Sequence, residues 1–173
     1  MQREANRIYG YTAKQTLDLA QALYEKRLLT YPRTDSRYIT TDVADTLKER
    51  LKACSVGPYR KLAGSLSMRP IRKNASFVDN KKVTDHHAII PTEQFVDLQT
   101  MTNEERKVYD LVVRRFLAVL LPAFEYDQTV FTGGLAGESF TAKGKIVKSQ
   151  GWKEAYENLE TDEEWEEADD VAA

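Results

Sequence analysis

Residues 28–40, LLTYPRTDSRYIT, bring a phenol and a guanidinium within two positions of each other. A phenol has a pKa of about 10, so Tyr31 becomes a useful nucleophile only when a nearby cation or base assists it. Arg33 carries a planar fork of N–H donors that can hold a phosphate through two hydrogen bonds. In an extended loop both side chains project from one side, which predicts attack of the Tyr31 oxygen on a phosphodiester held by Arg33.

The neighbouring residues favour the same chemistry. Pro32 fixes its own φ angle and lowers the entropy lost in holding the two reactive groups in place. Thr34, Asp35 and Ser36 can hydrogen-bond to nearby backbone and fix a turn. An aromatic residue before a proline can also simply pack a loop against a core, and spacing alone leaves that alternative open.

A helix is predicted to precede this loop and to position it at the surface. Thr12 and Gln15 form a capping-box pattern, and the apolar spacing behind it predicts an amphipathic helix over residues 13–27. Pro32 cannot continue that helix, and it pushes the preceding Tyr31 toward extended backbone. The candidate nucleophile therefore lies on a loop just past a helix end.

Further elements follow along the chain. A second helix is predicted from about residue 41, and Pro58 opens a short one. Residues 68–92 lose apolar periodicity and are predicted to form a long loop, of a length that is usually functional or disordered. A second capping box at residues 102–105 opens a long, largely buried helix that ends before Pro122.

The last part of the chain changes character. Residues 123–151 predict two strands around glycine turns that include positions 133 and 134, and residues 152–173 form an acidic segment predicted to be flexible. The predicted fold class is therefore mainly α, with a helical domain over residues 1–122. A two-stranded unit is marginally stable alone, so we expect it to complete a sheet from elsewhere or to fold back onto the helices. The chain is expected to be an excised part of a longer protein.

Charge is distributed unevenly. Residues 1–82 hold 17 Lys and Arg against 8 Asp and Glu, whereas residues 152–173 hold 1 against 10. The basic part is expected of a protein that meets a polyanion. No apolar run is long enough for a membrane span, the N-terminus is too polar for a signal peptide, and the single Cys54 fits a reducing cytoplasm. Cys54 has no partner at a telling spacing and is not predicted to be catalytic.

Four separated segments resemble one enzyme family. Residues 28–40 are similar to the active-site signature of type IA DNA topoisomerases, and closest to the bacterial topoisomerase III branch. The preceding QREANRIYGYTAKQTLDLAQALYEKR, the loop VTDHHAIIPT and the later run ERKVYDLVVRRFLAVLLPAFEYDQTV resemble the same family in the same order. The chain is thereby identified as a member of that family over residues 2 to about 157.

The resemblance implies a role for each matching residue. Tyr31 matches the nucleophile that opens one DNA strand and keeps its 5′ phosphate as a tyrosyl ester. Arg33 matches the arginine that positions the scissile phosphate, and His86 matches the histidine that assists DNA binding or cleavage. Asp35 and Pro32 are expected to support these groups. The residues expected to contact DNA are Arg33, His86, Thr34, Ser36, Lys14 and Arg37.

The resemblance also implies what this chain lacks. Family members bind Mg²⁺ through carboxylates of an N-terminal toprim fold, which thirty residues before Tyr31 cannot hold. We therefore expect no metal here, and we expect the nucleophile-bearing helical domain, called domain III, with a stub of the arch domain at residues 123–151. Alone it should be inactive. Its expected partners are single-stranded DNA and the other domains of its parent, in the cytoplasm with the nucleoid and not at a membrane; a helicase partner stays unknown.

Several alternatives remain open. Residues 85–87, Asp-His-His, could bind a metal, although adjacent histidines in a strand point opposite ways and no third ligand cluster lies nearby. Further candidates for phosphate contact or base stacking, each of which could equally be solvated or packed, are Arg69, Arg72, Lys73, Lys81, Lys82, Tyr11, Tyr38 and Phe77. The functional alternatives are a non-catalytic single-stranded nucleic-acid-binding helical module, and a tyrosine recombinase or other phosphotyrosyl nuclease.

Overall fold

The computed structural model describes residues 1–157, which divide into two units, Met1–Leu120 and a second that begins at Leu121. The α-helices of the first unit are α1 Gln2–Tyr9, α2 Ala13–Glu25, α3 Thr41–Asp45, α4 Leu47–Ala53, α5 Arg60–Ser67 and α6 Asn103–Leu120, with 3-10 turns at Gly57–Tyr59, Asn80–Lys82 and Leu98–Thr100. The second unit contains β1 Glu125–Leu135, β2 Glu138–Ser149 and a 3-10 helix at Gly151–Tyr156. The predicted helical domain with a small two-stranded element is confirmed.

Hydrogen bonds fix both predicted helix starts. The Gln15 backbone N–H donates to Thr12 Oγ1 (3.1 Å) at the start of α2. At the start of α6 the Glu105 N–H donates to Thr102 Oγ1 (3.1 Å), and the Thr102 N–H donates back to Glu105 Oε2 (2.9 Å). These bonds satisfy N–H groups that the first turn of a helix leaves unpaired.

Helix α2 ends at Glu25, two residues earlier than predicted, because the chain reverses there. Arg27 adopts a left-handed φ of 60°, and the Leu28 N–H donates back to the Leu23 carbonyl (2.9 Å). A single left-handed residue with such a backward bond is a common helix ending, and it costs about 1 kcal/mol when the residue is not glycine. The reversal brings Tyr31 back beside the last turn of α2.

The predicted second helix is divided into α3 and α4. The Thr46 hydroxyl donates to the Val43 carbonyl (2.8 Å), and Thr46 has φ −93° and ψ 1°. A threonine hydroxyl that bonds to the preceding turn competes with the helical backbone, which accounts for the interruption. Leu47 and Leu51, one turn apart on α4, are both almost completely buried.

Helix α6 supplies the centre of the core. Val108, Val113 and Leu117 are almost completely buried, and α6 packs against α1, α2 and α5 while α4 packs against α5. Full burial of a side chain of this kind stabilises the fold by about 1.5–3 kcal/mol. The helices therefore form a firm support for the long loop.

The predicted long loop, residues 68–92, contains a single 3-10 turn. Most of its side chains are exposed, but Phe77, Ile90 and Pro91 are buried. The loop is thus fixed to the core at Phe77 and at Ile90–Pro91. Both places lie next to residues 28–40, called the Tyr31 stretch.

The strands β1 and β2 pair antiparallel, but the turn lies at residues 136–137 and not at positions 133 and 134 as predicted. Ala136 and Gly137 have φ angles of 53° and 87°, the left-handed pair that a two-residue hairpin turn requires. Gly133 lies inside β1 opposite Phe140, and a Cβ at this position would stand only 2.7 Å from the Phe140 ring. This glycine makes room for a ring and does not form the turn.

One face of the hairpin is apolar and exposed. Strand alternation and the pairing register place Phe131, Leu135, Phe140 and Ile146 on this face, and between 51% and 72% of each is exposed. Soluble proteins seldom leave such a patch without a partner. The patch agrees with a strand pair that completes a sheet from elsewhere, which stays a prediction.

The predicted acidic tail falls partly within the described residues. Its first residues belong to the 3-10 helix Gly151–Tyr156, where the rings of Trp152 and Tyr156 lie 6.0 Å apart. Residues 158–173 lie outside the described residues. Across residues 1–157, no helix combines the length and apolarity needed to cross a membrane.

Candidate active site

The Tyr31 stretch is held by the long loop on both of its flanks. The backbone hydrogen bonds are Thr30 N to Ile90 O (3.0 Å), Thr92 N to Leu28 O (3.2 Å), Ala88 N to Tyr38 O (2.9 Å) and Ile39 N to Phe77 O (2.8 Å). These contacts join segments that lie some fifty residues apart in the sequence. The long loop therefore builds the site, and its lack of apolar periodicity reflects this pairing.

Two hydroxyl side chains fasten the middle of the stretch. Thr34 Oγ1 donates to the His86 carbonyl (2.9 Å) and accepts from the Ser36 N–H (3.1 Å). Ser36 Oγ donates to the Lys82 carbonyl (2.8 Å) and accepts from the Tyr38 N–H (3.1 Å). Predicted as DNA contacts, both hydroxyls have protein partners in this structure and hold the segment in place.

The alternate residues of this stretch point outward. Arg33, Asp35 and Arg37 are exposed, whereas Pro32 is buried. This alternation is that of an extended backbone. The predicted supporting role therefore suits Pro32 better than Asp35, because the Asp35 side chain faces solvent.

Tyr31 is half-buried, and two rings contact its own ring. The His86 ring lies 4.2 Å from it, centroid to centroid, with a tilt of 40°. The Tyr24 ring lies 5.4 Å away, edge to face at 78°. The Tyr31 hydroxyl makes no hydrogen bond with any of residues 1–157, so its oxygen is not used in packing.

Arg33 and His86 line the same depression. Its lining consists of Arg33, Thr34, Asp35, Thr84, Asp85 and His86. Within the described part of the chain the Arg33 guanidinium has no ion pair or hydrogen bond, which leaves its donors available to an anion. Tyr31 lines a neighbouring depression together with Tyr24, Thr30 and Arg50. His86, which touches the Tyr31 ring, connects Tyr31 to the depression that holds Arg33.

The other candidate contacts are scattered. Lys14 forms an ion pair with Asp18 (2.7 Å) in the first turns of α2, at the end of the helix away from Tyr24. Lys14 and Tyr24 are ten residues apart on α2, or about 15 Å at 1.5 Å per residue. The structure therefore does not bring Lys14 to the depression lined by Arg33 and His86. The remaining candidate cations are all exposed, and they are Arg69, Arg72, Lys73, Lys81 and Lys82. Lys73 is paired with Asp45, and Lys82 is paired with Asp79 at 3.5 Å.

The three rings predicted as candidates for base stacking differ in how far they are buried. Tyr11 and Phe77 are buried in the core, so base stacking on either is excluded in this conformation. Tyr38 is half-buried, and its hydroxyl accepts a hydrogen bond from Lys82 Nζ (3.2 Å), which raises the pKa of Lys82. Cys54 is fully buried, and this burial raises the pKa of its thiol to about 12, so the thiol stays protonated at neutral pH.

Arg50 is a site-building residue that the sequence analysis missed. It is 7% exposed, and its guanidinium donates to the Pro91 carbonyl (2.8 Å) and pairs with Glu93 (2.8 Å). Its Nε also donates to Thr46 Oγ1 (2.8 Å). Pro91 bridges to Leu29, two positions before Tyr31. Arg50 therefore links α4 to the backbone that carries the candidate nucleophile.

Replacing Arg50 with methionine is expected to lower the free energy of unfolding by about 2 kcal/mol, because the buried Pro91 carbonyl loses its donor. The exposed Glu93 regains water and adds little. Urea unfolding of the chain measures the change. The control is Lys73→Met, which removes the surface ion pair with Asp45 and should change stability by no more than about 0.5 kcal/mol. Equal losses in the two variants would contradict the role of Arg50.

Residues 1–157 contain no group of three or more His, Cys, Asp or Glu side chains placed to hold a metal ion. The Asp85-His86-His87 run therefore lacks the additional ligands that a protein metal site uses. His87 instead contacts the Ala88 carbonyl through Nδ1 (2.7 Å). The described residues do not fit a bound Mg²⁺.

Comparison with known proteins places this geometry in context. A family model described as DNA topoisomerase matches residues 1–172. A DNA topoisomerase 3 of Bacillus cereus is 56% identical over 165 residues, which cover 95% of this chain and 23% of that protein. DNA topoisomerase 3 of Bacillus subtilis strain 168 is 49% identical over 167 residues, with 96% and 23% covered. The chain thus spans about a quarter of the length of these relatives.

A solved structure shares the fold. The full-length topoisomerase I of Thermotoga maritima aligns with 91% of this chain and 26% of its own, at a TM-score of 0.61 and 24% sequence identity. The fold of this chain is therefore one that occurs within a larger protein.

Proposed function

This chain belongs to the bacterial DNA topoisomerase family, and on that premise we propose that it is the nucleophile-bearing part of a type IA enzyme. The full-length parent cleaves one DNA strand, passes another through the break and rejoins the first. Tyr31 is the nucleophile, and Arg33 and His86 seat the phosphate. The family match over residues 1–172 supports the class of reaction.

One observation carries the assignment of residues. The Tyr31 oxygen has no hydrogen-bond partner among residues 1–157, while its ring touches His86, which shares a depression with Arg33. A phenol whose oxygen was bonded to core groups would not be available as a nucleophile, and the Tyr31 oxygen makes no such bond within the described residues. An unused phenol oxygen, next to a histidine that shares a depression with an unpaired guanidinium, is suited to attack on a phosphate.

The reaction is a transesterification. Tyr31 Oη forms a bond to phosphorus, the bond from phosphorus to the 3′ oxygen breaks, and the phenol proton leaves as the 3′ oxygen gains one. Arg33 donates to the non-bridging oxygens, where negative charge develops. The 3′ hydroxyl later attacks the tyrosyl ester and restores the strand. Because one phosphoester replaces another at each step, no nucleotide cofactor is required.

Mg²⁺ belongs to the proposal only for the parent. Type IA enzymes use it, but the described residues contain no group that could bind it, so no step is assigned to it in this chain. The acid for the 3′ oxygen is likewise assigned to other domains of the parent. The isolated chain is accordingly proposed to be inactive in relaxation and cleavage.

The proposed partner is single-stranded DNA. The excess of Lys and Arg over residues 1–82 favours a polyanion, and binding to phosphates should weaken steeply as salt is raised. The second unit is proposed to be a stub of the arch domain, and the exposed apolar face of its hairpin supports a missing sheet neighbour. Action in the cytoplasm on the nucleoid, and with any helicase partner, belongs to the same proposal.

The test is to trap the covalent intermediate of the full-length parent. An oligonucleotide labelled at its 3′ end should remain bound to the protein after denaturation, whereas the same strand labelled at its 5′ end should be released. This follows because the ester keeps the 5′ phosphate of the downstream piece. Peptide mapping should place the adduct on Tyr31.

The opposite labelling pattern would indicate a nuclease or recombinase that keeps the 3′ phosphate. Binding without any adduct would favour the non-catalytic nucleic-acid-binding module. An adduct at another tyrosine would refute the assignment of Tyr31 alone.

A further inference from the structure

The ring of Tyr31 is flanked by residues from two different elements. His86 comes from the long loop, and Tyr24 is the penultimate residue of α2. The tyrosyl hydroxyl is left without a partner in residues 1–157. The position of the Tyr31 oxygen is therefore set by the contacts that Tyr24 and His86 make with the Tyr31 ring.

The sequence places Tyr24 beside Tyr31 through the ending of α2. Leu23 is fully buried and fixes the rotation of the helix, so the next side chain must point beside the core and toward the surface. The Arg27 N–H donates to the Tyr24 carbonyl (2.8 Å) as the chain reverses. Seven residues after Tyr24, Tyr31 returns against its ring.

The Tyr24 ring lies at the surface, so its contact with Tyr31 is not part of the buried core. Tyr24 is 39% exposed and makes no hydrogen bond through its hydroxyl within the described chain. What it offers Tyr31 is an edge-to-face ring contact, an arrangement that aromatic pairs prefer. Such a contact restricts rotation of the Tyr31 side chain before attack, and small errors in the position of a reacting atom are costly.

We propose that Tyr24 is a positioning residue that, together with His86, holds the Tyr31 ring in its attacking orientation. The inference rests on the proposed function of Tyr31 as the nucleophile. Tyr24 touches neither phosphate nor leaving group in this role. Its effect should therefore appear in the rate of the chemical step and not in the affinity for DNA.

The experiment measures single-turnover cleavage of a single-stranded oligonucleotide by the full-length parent, together with the Kd for that strand. Tyr24→Leu keeps an apolar side chain of good helix propensity but removes the ring, and it should slow cleavage by about 3- to 10-fold, the range that one aromatic contact supports. The Kd should stay within about twofold and the Tm close to that of the unmodified protein. Tyr24→Phe keeps the ring and should restore the rate.

A matched control separates position from general packing. Tyr9→Leu removes another partly exposed ring, which pairs with Tyr11 at 5.5 Å and does not touch Tyr31. It should leave the cleavage rate unchanged.

Three outcomes would overturn the inference: unchanged cleavage in Tyr24→Leu, a Tyr24→Phe variant as slow as Tyr24→Leu, or a loss that lies in Kd. The failure of the proposed function has a different signature, because the unmodified parent would then form no adduct at Tyr31.

Discussion

Replacing Tyr31 with phenylalanine in the full-length parent is expected to abolish strand cleavage and relaxation, with a loss of at least about 10⁴-fold. The substitution removes only the oxygen that is proposed to form the phosphotyrosyl ester. The ring contacts with His86 and Tyr24 do not involve that oxygen, so the fold should be retained. Affinity for single-stranded DNA should stay within about twofold, because Arg33, the proposed phosphate contact, is unchanged. Relaxation of supercoiled DNA and a Kd measurement test the two statements.

Tyr38→Phe is the matched control for this change. Tyr38 lies on the same stretch, seven positions later, and its hydroxyl accepts a hydrogen bond from Lys82. Loss of that exposed bond should alter activity by no more than a few-fold. If Tyr31→Phe retains relaxation, the ester is formed elsewhere, and the free phenol oxygen has another role.

Local signals in the sequence were sufficient for the parts of the fold that they control. The capping boxes at Thr12 and Thr102 predicted the starts of α2 and α6, because an N-cap bond involves residues only three positions apart. Pro32 and Pro122 likewise lie beyond the helices that they were expected to limit. Tyr31 and Arg33 could be proposed as a pair because both lie on one short stretch, and their joint action on a phosphate stays a prediction.

Predictions failed where two local rules competed. Glycines at positions 133 and 134 indicated a turn, but Gly133 is required inside β1 by the ring of Phe140, a neighbour seven residues away. The turn instead includes Ala136, although alanine rarely adopts a positive φ angle. The helix predicted from about residue 41 is divided at Thr46, because the Thr46 hydroxyl donates a hydrogen bond to the Val43 carbonyl.

The residues that assemble the site could not be derived from spacing. Arg50 meets Pro91 across forty-one positions, and no local pattern encodes that contact. A partial signal existed, since Arg50 shares the buried side of its helix with Leu47 and Leu51, and a buried guanidinium must find partners. The loop of residues 68–92 carried no periodicity because its order comes from bonds to the Tyr31 stretch.

Replacing Arg33 with lysine is expected to reduce the rate of cleavage by about 10²- to 10³-fold in the full-length parent. Lysine keeps the charge but presents a single ammonium, which cannot donate to two phosphate oxygens from a fixed plane. Arg33 has no protein partner within residues 1–157, so its replacement should not disturb the fold. Single-turnover cleavage and thermal unfolding, measured side by side, separate the two effects.

The preserved charge makes this substitution a test of geometry. The slope of log affinity against log salt should be unchanged in Arg33→Lys, because the number of cations at phosphates is the same. Arg37→Lys is the matched control: it lies on the same exposed side of the stretch, four positions from Arg33, and should change the cleavage rate by less than about threefold. Full activity in Arg33→Lys would show that a cation at this position is enough. A fall of equal size in both variants would show that the stretch binds DNA as a charged surface, without a dedicated grip on the scissile phosphate.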